Sequence, residues 1–143
     1  MVDKKKELSN YRYQTALETL DTAKLCFDNK HYKDSINRSY YAAFYAIKAV
    51  LALDEIDFKR HKDAVAYFNK NYVATDIFQK DVGRKLGRLQ KKREASDYDD
   101  FYLASREEAE EQLLAAEYII SQVECYAIGN IESNWRIYVK ALS

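Results

Sequence analysis

The sequence predicts an all-α protein: an up-and-down helical bundle of about five helices with a short C-terminal extension. Proline is absent and glycine occurs three times in 143 residues, so helix breakers are scarce. Apolar residues recur at three- and four-residue spacing in nearly every segment, the signature of helices with one buried face. A short polar connection separates the first two segments, which makes those helices antiparallel neighbours. The length suits one domain whose core needs no disulfide or metal. Residues 1–130 are assigned to the bundle and 131–143 to an extension of the same domain.

The first helix is expected from Leu8 to Asp28, with Tyr13, Leu17 and Leu20 on one side and Ala16, Ala23 and Phe27 extending it. Asp28, Asn29 and Lys30 supply a polar turn. The second helix, Tyr32 to Leu53, carries three chemically distinct faces. Ile36, Tyr40, Phe44, Ile47 and Leu51 form a large apolar face; Ser35, Ser39, Ala42, Ala46 and Ala49 form a small-residue face; Arg38, Tyr41, Tyr45 and Lys48 form a third. The large face needs a core and the small one admits another helix backbone, while the third can hold an anionic or aromatic ligand or a partner chain.

A charged connector around Asp54 to Lys62 leads to a third helix with Val65, Phe68 and Tyr72. A fourth, Phe78 to Arg93, buries Phe78, Val82, Leu86 and Leu89. Ser105 and Glu108 have capping-box spacing at the start of the last long helix, where Leu113, Ala116, Ile120 and Val123 face inward. Gly129 and Asn130 read as a stop. Beyond them Ile131 to Ser143, with Trp135, Ile137 and Tyr138, is read as a short helix or an interaction tail.

The formal net charge is zero, so nucleic acid or a membrane surface could be met only by a local patch. Charge is nonetheless segregated: Lys80 to Arg93 is strongly basic and Glu94 to Glu111 strongly acidic. Either Lys80, Arg84, Arg88, Lys91 and Lys92 contact phosphates, or the two stretches are solvated helix faces that attract each other. Cys26 and Cys125 lack paired spacing and are expected to be packing residues. With no secretory signal at the lysine-rich N-terminus, a cytoplasmic location is expected. No apolar run reaches the roughly 20 residues that span a bilayer, so no membrane partner is expected.

Signatures of zinc, phosphate-loop and nucleophilic-serine enzymes are missing, and neither a cofactor nor a firm metal site is expected. The acidic trio Asp97, Asp99 and Asp100 lacks the glycine and distal glutamate of a calcium loop, leaving a loose magnesium site as the alternative. Arg93 stands out because steps of four, three and four from Val82 place it on the apolar stripe. A buried guanidinium needs a partner, and Asp97 or Asp99 is the nearest. It serves as a structural clamp or as a phosphate ligand in a cleft. Gly83 and Gly87 each cost about 1 kcal/mol in helix propensity, and close approach of another helix, including one from a second subunit, is the simplest account. Tyr41 and Tyr45 beside Arg38 are placed to stack on a base.

Two blocks, Arg38 to Tyr45 (Arg-Ser-Tyr-Tyr-Ala-Ala-Phe-Tyr) and Arg93 to Phe101 (Arg-Glu-Ala-Ser-Asp-Tyr-Asp-Asp-Phe), together with His61, Lys62, Ala64, Val65 and Phe68 between them, resemble the HEPN superfamily, small helical bundles named for higher eukaryotes and prokaryotes nucleotide-binding. The resemblance spans about Leu8 to Cys125. It implies a bundle that dimerises, is often encoded beside a minimal nucleotidyltransferase, and in several branches is a metal-independent ribonuclease toxin. Nuclease members carry an Arg-x4–6-His motif with a polar residue directly after the arginine. Here Glu94 fills that polar position and Tyr98 stands where the histidine would be.

A phenol with a pKa near 10 rarely exchanges protons at neutral pH as imidazole does, so binding is favoured over hydrolysis. The leading expectation is a homodimer that binds nucleotide or RNA phosphates through Arg93, with Tyr98, Arg38, Tyr41, Tyr45 and Lys92 around it, and partners a nucleotidyltransferase in a toxin–antitoxin or defence-type system. One alternative is an active metal-independent ribonuclease using Arg93, Asp97 and Tyr98, with His61 brought near by folding. The other is a non-catalytic protein-binding adaptor in which Arg93 is structural.

Overall fold

The computed structural model describes residues 3–130. Its helices are α1 (Lys4–Asp28), α2 (Tyr32–Leu53), α3 (His61–Phe68), α4 (Lys80–Tyr98) and α5 (Arg106–Asn130), with a π-helical turn at Asn69–Val73 after α3. Side-chain pairs fix the directions. Ser9 bonds to Ala49 and Ser35 to Ala23 across α1 and α2; Asn37 reaches Asp97 and Tyr40 meets Arg93 across α2 and α4; Arg88 meets Glu111 and Lys92 meets Glu108 across α4 and α5. Each pair of helices therefore runs antiparallel, and α1, α2, α4 and α5 form an all-α up-and-down bundle, with short α3 between the second and third long helices. The extension 131–143 lies outside the described residues, and the expected stop at Gly129 and Asn130 falls at their edge.

The contact between α1 and α2 is built from small residues. Ser9, Ala16 and Ala23 recur every seven residues on α1, as do Ser35, Ala42 and Ala49 on α2, and all six are buried. Without bulky side chains the backbones come close enough for the Ser9 hydroxyl to donate to the Ala49 carbonyl at 2.7 Å and the Ser35 hydroxyl to the Ala23 carbonyl at 2.9 Å. The large face of α2, from Ile36 to Leu51, is also buried. Two of its three faces are thus interior, and only the face of Arg38, Tyr41, Tyr45 and Lys48 remains partly open.

Three elements differ from expectation. Helix α1 begins at Lys4, because the Asp3 carboxylate accepts from the Lys5 amide at 3.2 Å and so caps an extra turn. Helix α4 begins at Lys80, with Phe78 buried just before it against Phe68 and Tyr126, and continues to Tyr98. Nothing after Arg93 breaks the helix, and an ion pair one turn on supports it. The expected third helix changes pitch at Asn69: the Ala74 amide donates to the Asn69 carbonyl at 2.8 Å, and the Tyr72 hydroxyl bonds to Asp54.

This turn explains Gly83. A Cβ there would lie 3.0 Å from Val73 Cγ1 and 3.1 Å from Asn69 Oδ1, so the close approach is made by the chain's own π-helical turn. At Gly87 nothing lies within 4 Å of such a Cβ. The charge blocks also meet within the chain, through Arg88–Glu111 and Lys92–Glu108, both at 3.2 Å. Cys125 is exposed and so does not pack as expected; Cys26 is partly buried.

Candidate functional site

Arg93 projects from α4 toward α2, where successive aromatic residues receive it. Its guanidinium carbon lies 4.8 Å from the centre of the Tyr40 ring and 5.8 Å from that of Tyr41, the geometry of cation–π attraction. Nη1 donates to Asp97 Oδ2 at 3.2 Å. The side chain is 13% exposed, and its Nε is buried with no hydrogen-bond acceptor among the described residues. The helix supplies its own counterion here, since Arg93 and Asp97 are one turn apart. One strong N–H donor nonetheless remains uncommitted.

Asn37 joins this pair to a second guanidinium. Its side-chain amide nitrogen donates to both Asp97 oxygens at 3.3 and 3.4 Å, while its oxygen accepts from Arg38 Nε at 3.0 Å and Nη2 at 2.7 Å. Only this orientation of the amide suits both neighbours, because the flipped one would set NH2 against a cation and oxygen against a carboxylate. Arg38 in turn lies 4.9 Å from the centre of the Tyr41 ring. Arg38, Asn37, Asp97 and Arg93 thus form a polar chain, with the Tyr41 ring contacting the guanidinium at each end.

The same ring receives His61, the first residue of α3, edge-on at 5.5 Å between centroids, and Phe44 flanks the imidazole at 4.3 Å. Burial pulls the His61 pKa below its ordinary value, and the nearby charges of Arg93 and Lys48 add to this. Its neutral form is therefore favoured. The Tyr40 hydroxyl is buried without a hydrogen-bond partner among the described residues, and burial pushes its pKa up to about 12 against the opposing effect of Arg93.

The connector between α2 and α3 is held by charge. Asp57 pairs with Lys48 at 2.8 Å and Arg12 at 3.4 Å, and Arg12 Nη1 donates to the Lys48 carbonyl at 3.2 Å. Hydrogen bonding from Lys48 keeps the Asp57 carboxyl below its usual range. The ammonium of Lys48 lies 5.9 Å from the centre of the Phe44 ring.

Of the residues singled out in the sequence, Arg38, Tyr41, Arg93 and Asp97 come together. Tyr45 extends the aromatic surface, 6.2 Å from Tyr41. Lys92 is directed to Glu108 instead, and Tyr98 is 79% exposed at the end of α4, with Phe101 and Leu103 also exposed beyond it. The acidic trio does not converge: Asp97 is engaged with Arg93 and Asn37, Asp99 accepts from the Phe101 amide at 3.0 Å, and no cluster of three metal-ligating side chains exists among the described residues. Asn37 was missed as a site residue. Its position one turn before Tyr41, on the face of Tyr45 and Lys48, was the available signal.

The fold and this junction define a class of small helical bundles in which the second and fourth helices meet through a chain of polar side chains. The HEPN domain matches residues 9–126, and the chain belongs to the HEPN family. A UPF0332 protein of Thermotoga maritima is 29% identical over 123 residues, which cover 86% of this chain and 93% of that one. The Methanocaldococcus jannaschii protein named "Putative toxin MJ0605" is 30% identical over 111 residues, or 78% of this chain and 82% of its own. A second from the same organism, "Putative toxin MJ0142", is 26% identical over 116 residues, or 81% and 79%. No helix among the described residues is long and apolar enough to cross a membrane.

Proposed function

We propose that this HEPN protein is the toxin-type member of a two-component system that binds the phosphates of a nucleotide or RNA at Arg93 and Arg38. The observation that carries this reading is the Arg93 guanidinium, held between two tyrosine rings with an unspent, buried Nε–H donor. A second guanidinium sits on the same ring, and two forked donors suit phosphate oxygens. Tyr41 and Tyr45 offer π surface for a base, and Tyr98 is exposed at the end of α4. Lys92 has no part in this reading, being committed to Glu108.

The names of the two archaeal relatives support the toxin role. A minimal nucleotidyltransferase is the proposed partner, a homodimer the proposed assembly and the cytoplasm the proposed location. Titration of the protein with a nucleoside triphosphate and with a short single-stranded RNA tests the binding reading. Arg93→Ala should weaken binding by about ten- to a hundredfold, the worth of a charge-assisted hydrogen bond, and Arg93→Lys should recover only part of it. Unchanged affinity in Arg93→Ala overturns the assignment. Failure of the parent protein to bind, with marked loss of Tm in Arg93→Ala, makes Arg93 a structural clamp. Sedimentation alone and with the nucleotidyltransferase tests the assembly.

A further inference from the structure

We propose that His61 makes this site selective for a terminal phosphate monoester, on a mononucleotide or on the end of an RNA, over the phosphodiesters within a chain, by taking up a proton together with the ligand. The inference rests on the reading that Arg93 and Arg38 hold a phosphate. Side chains from three helices meet on the Tyr41 ring: His61 of α3, Arg38 of α2 and Arg93 of α4, at 5.5, 4.9 and 5.8 Å from its centre. A phosphate on the guanidinium groups therefore shares this ring with the imidazole, at a separation over which charges interact. His61 is exposed, which leaves it open to a ligand, and the Phe44 ring at 4.3 Å limits where the imidazole can turn.

Charge decides what this cluster can neutralise. Arg93 is paired with Asp97, and Arg38 donates to the uncharged Asn37 amide, so the guanidinium pair retains one net positive charge. The neighbouring group of Arg12, Lys48 and Asp57 retains another. Lys59, Arg60, Lys62 and Asp63 flank His61 in the chain and Glu94 follows Arg93 on α4, all exposed, where solvent and salt screen them. Burial, with Arg93 and Lys48, holds the imidazole below its ordinary pKa, so in the protein alone it is neutral at pH 7. A phosphodiester brings one negative charge, which the surplus on the guanidinium pair balances. A monoester above its second pKa of about 6 brings two, and the second favours the imidazolium. At roughly 6 Å and an effective dielectric of about 40, one unit charge changes a protonation constant about tenfold. The proton comes from solvent and stays on His61, with no bond to the ligand made or broken. The arginines are charged with either ligand; the imidazole is the group on this ring whose charge can follow that of the phosphate near neutral pH.

The test is calorimetric titration of the full chain at pH 7 with a nucleoside 5′-monophosphate, its phosphate methyl ester, and a short single-stranded RNA with and without a 5′-phosphate, each in two buffers of different ionisation enthalpy. The monophosphate should bind about tenfold more tightly than the ester and take up about half a proton, whereas the ester takes up almost none. The same preference for 5′-phosphorylated RNA over its 5′-hydroxyl form assigns RNA ends to the site; a preference seen with the mononucleotide alone confines it to nucleotides. The imidazole resonance of His61 should titrate about one unit higher with the monophosphate bound than with the ester. His61→Gln should abolish the proton uptake and remove most of the preference while affinity for the ester stays within about twofold, as a folded site requires. His61→Asn repeats the measurement should glutamine disturb the fold. Equal affinity for monophosphate and ester, or a preference and proton uptake that His61→Gln leaves intact, overturns the inference; Arg93→Ala weakening both ligands then leaves the phosphate reading standing. A parent that binds none of the four ligands overturns both.

Discussion

Replacing Asp97 with asparagine should make the protein bind phosphate more tightly. Among the described residues the Asp97 carboxylate is the one anion paired with Arg93, 3.2 Å from Nη1 and partly exposed, so an incoming phosphate must settle beside it. Two unit charges roughly 5 Å apart at an effective dielectric of about 40, between bulk water and a protein surface pair, repel by about 1.5 kcal/mol. That corresponds to about tenfold in affinity. Asparagine keeps an acceptor for Arg93 and Asn37, and a half-buried pair one helical turn apart contributes only about 0.5 kcal/mol to folding, so Tm should fall by no more than about 2 °C. Calorimetric titration with inorganic phosphate and a nucleoside triphosphate, at low and high ionic strength, reads both effects. The gain should shrink as salt screens the repulsion. Equal or weaker binding in Asp97→Asn at low salt refutes the reasoning, because Asp97 would then be no competitor and Arg93 no anion ligand.

The two helical glycines should respond in opposite ways. Gly87→Ala meets open space and should stabilise the protein by up to about 1 kcal/mol in thermal unfolding, whereas Gly83→Leu must displace Val73 and Asn69 and should cost about 2 kcal/mol. Ala42→Leu, in the buried small-residue seam, should destabilise by about 1–3 kcal/mol in urea titration; a neutral outcome would mean that α1 and α2 can separate cheaply. Hydrogen bonding from Tyr102, then from Lys92 and Ser105, holds the Glu108 carboxyl below its ordinary value of 4.5. The stabilisation is therefore present above that pH and lost as pH falls through the depressed folded value, so the acid-side decline in Tm should be shallower in Glu108→Gln.

The bundle was legible because helical periodicity maps directly onto burial. The apolar and small-residue faces of α2 are interior, as their spacing implies, and Arg93 on the stripe of Val82, Leu86 and Leu89 reaches the interior side of α4. The rest depends on contacts between distant segments. Asn37 carries no local pattern of its own and acquires a role only because α4 runs antiparallel across α2 with Asp97 at its level. The π-helical turn at Asn69 is likewise a joint property of that segment and Gly83. Lys92 illustrates the converse problem: its neighbours in sequence suggest a basic patch, but the α4–α5 hairpin brings Glu108 to it. His61 reaches the Tyr41 ring through the charged connector, whose path no periodicity describes.

That connector makes the site answerable to a helix that does not touch it. Asp57 is tied to Arg12 as well as to Lys48, so α1 helps set the point from which α3 departs and hence the height of His61 above Tyr41. Substitution of Arg12 would loosen one end of a lever whose other end carries the imidazole. Natural drift along α1 thereby alters the spacing of His61 and Tyr41 without changing either residue.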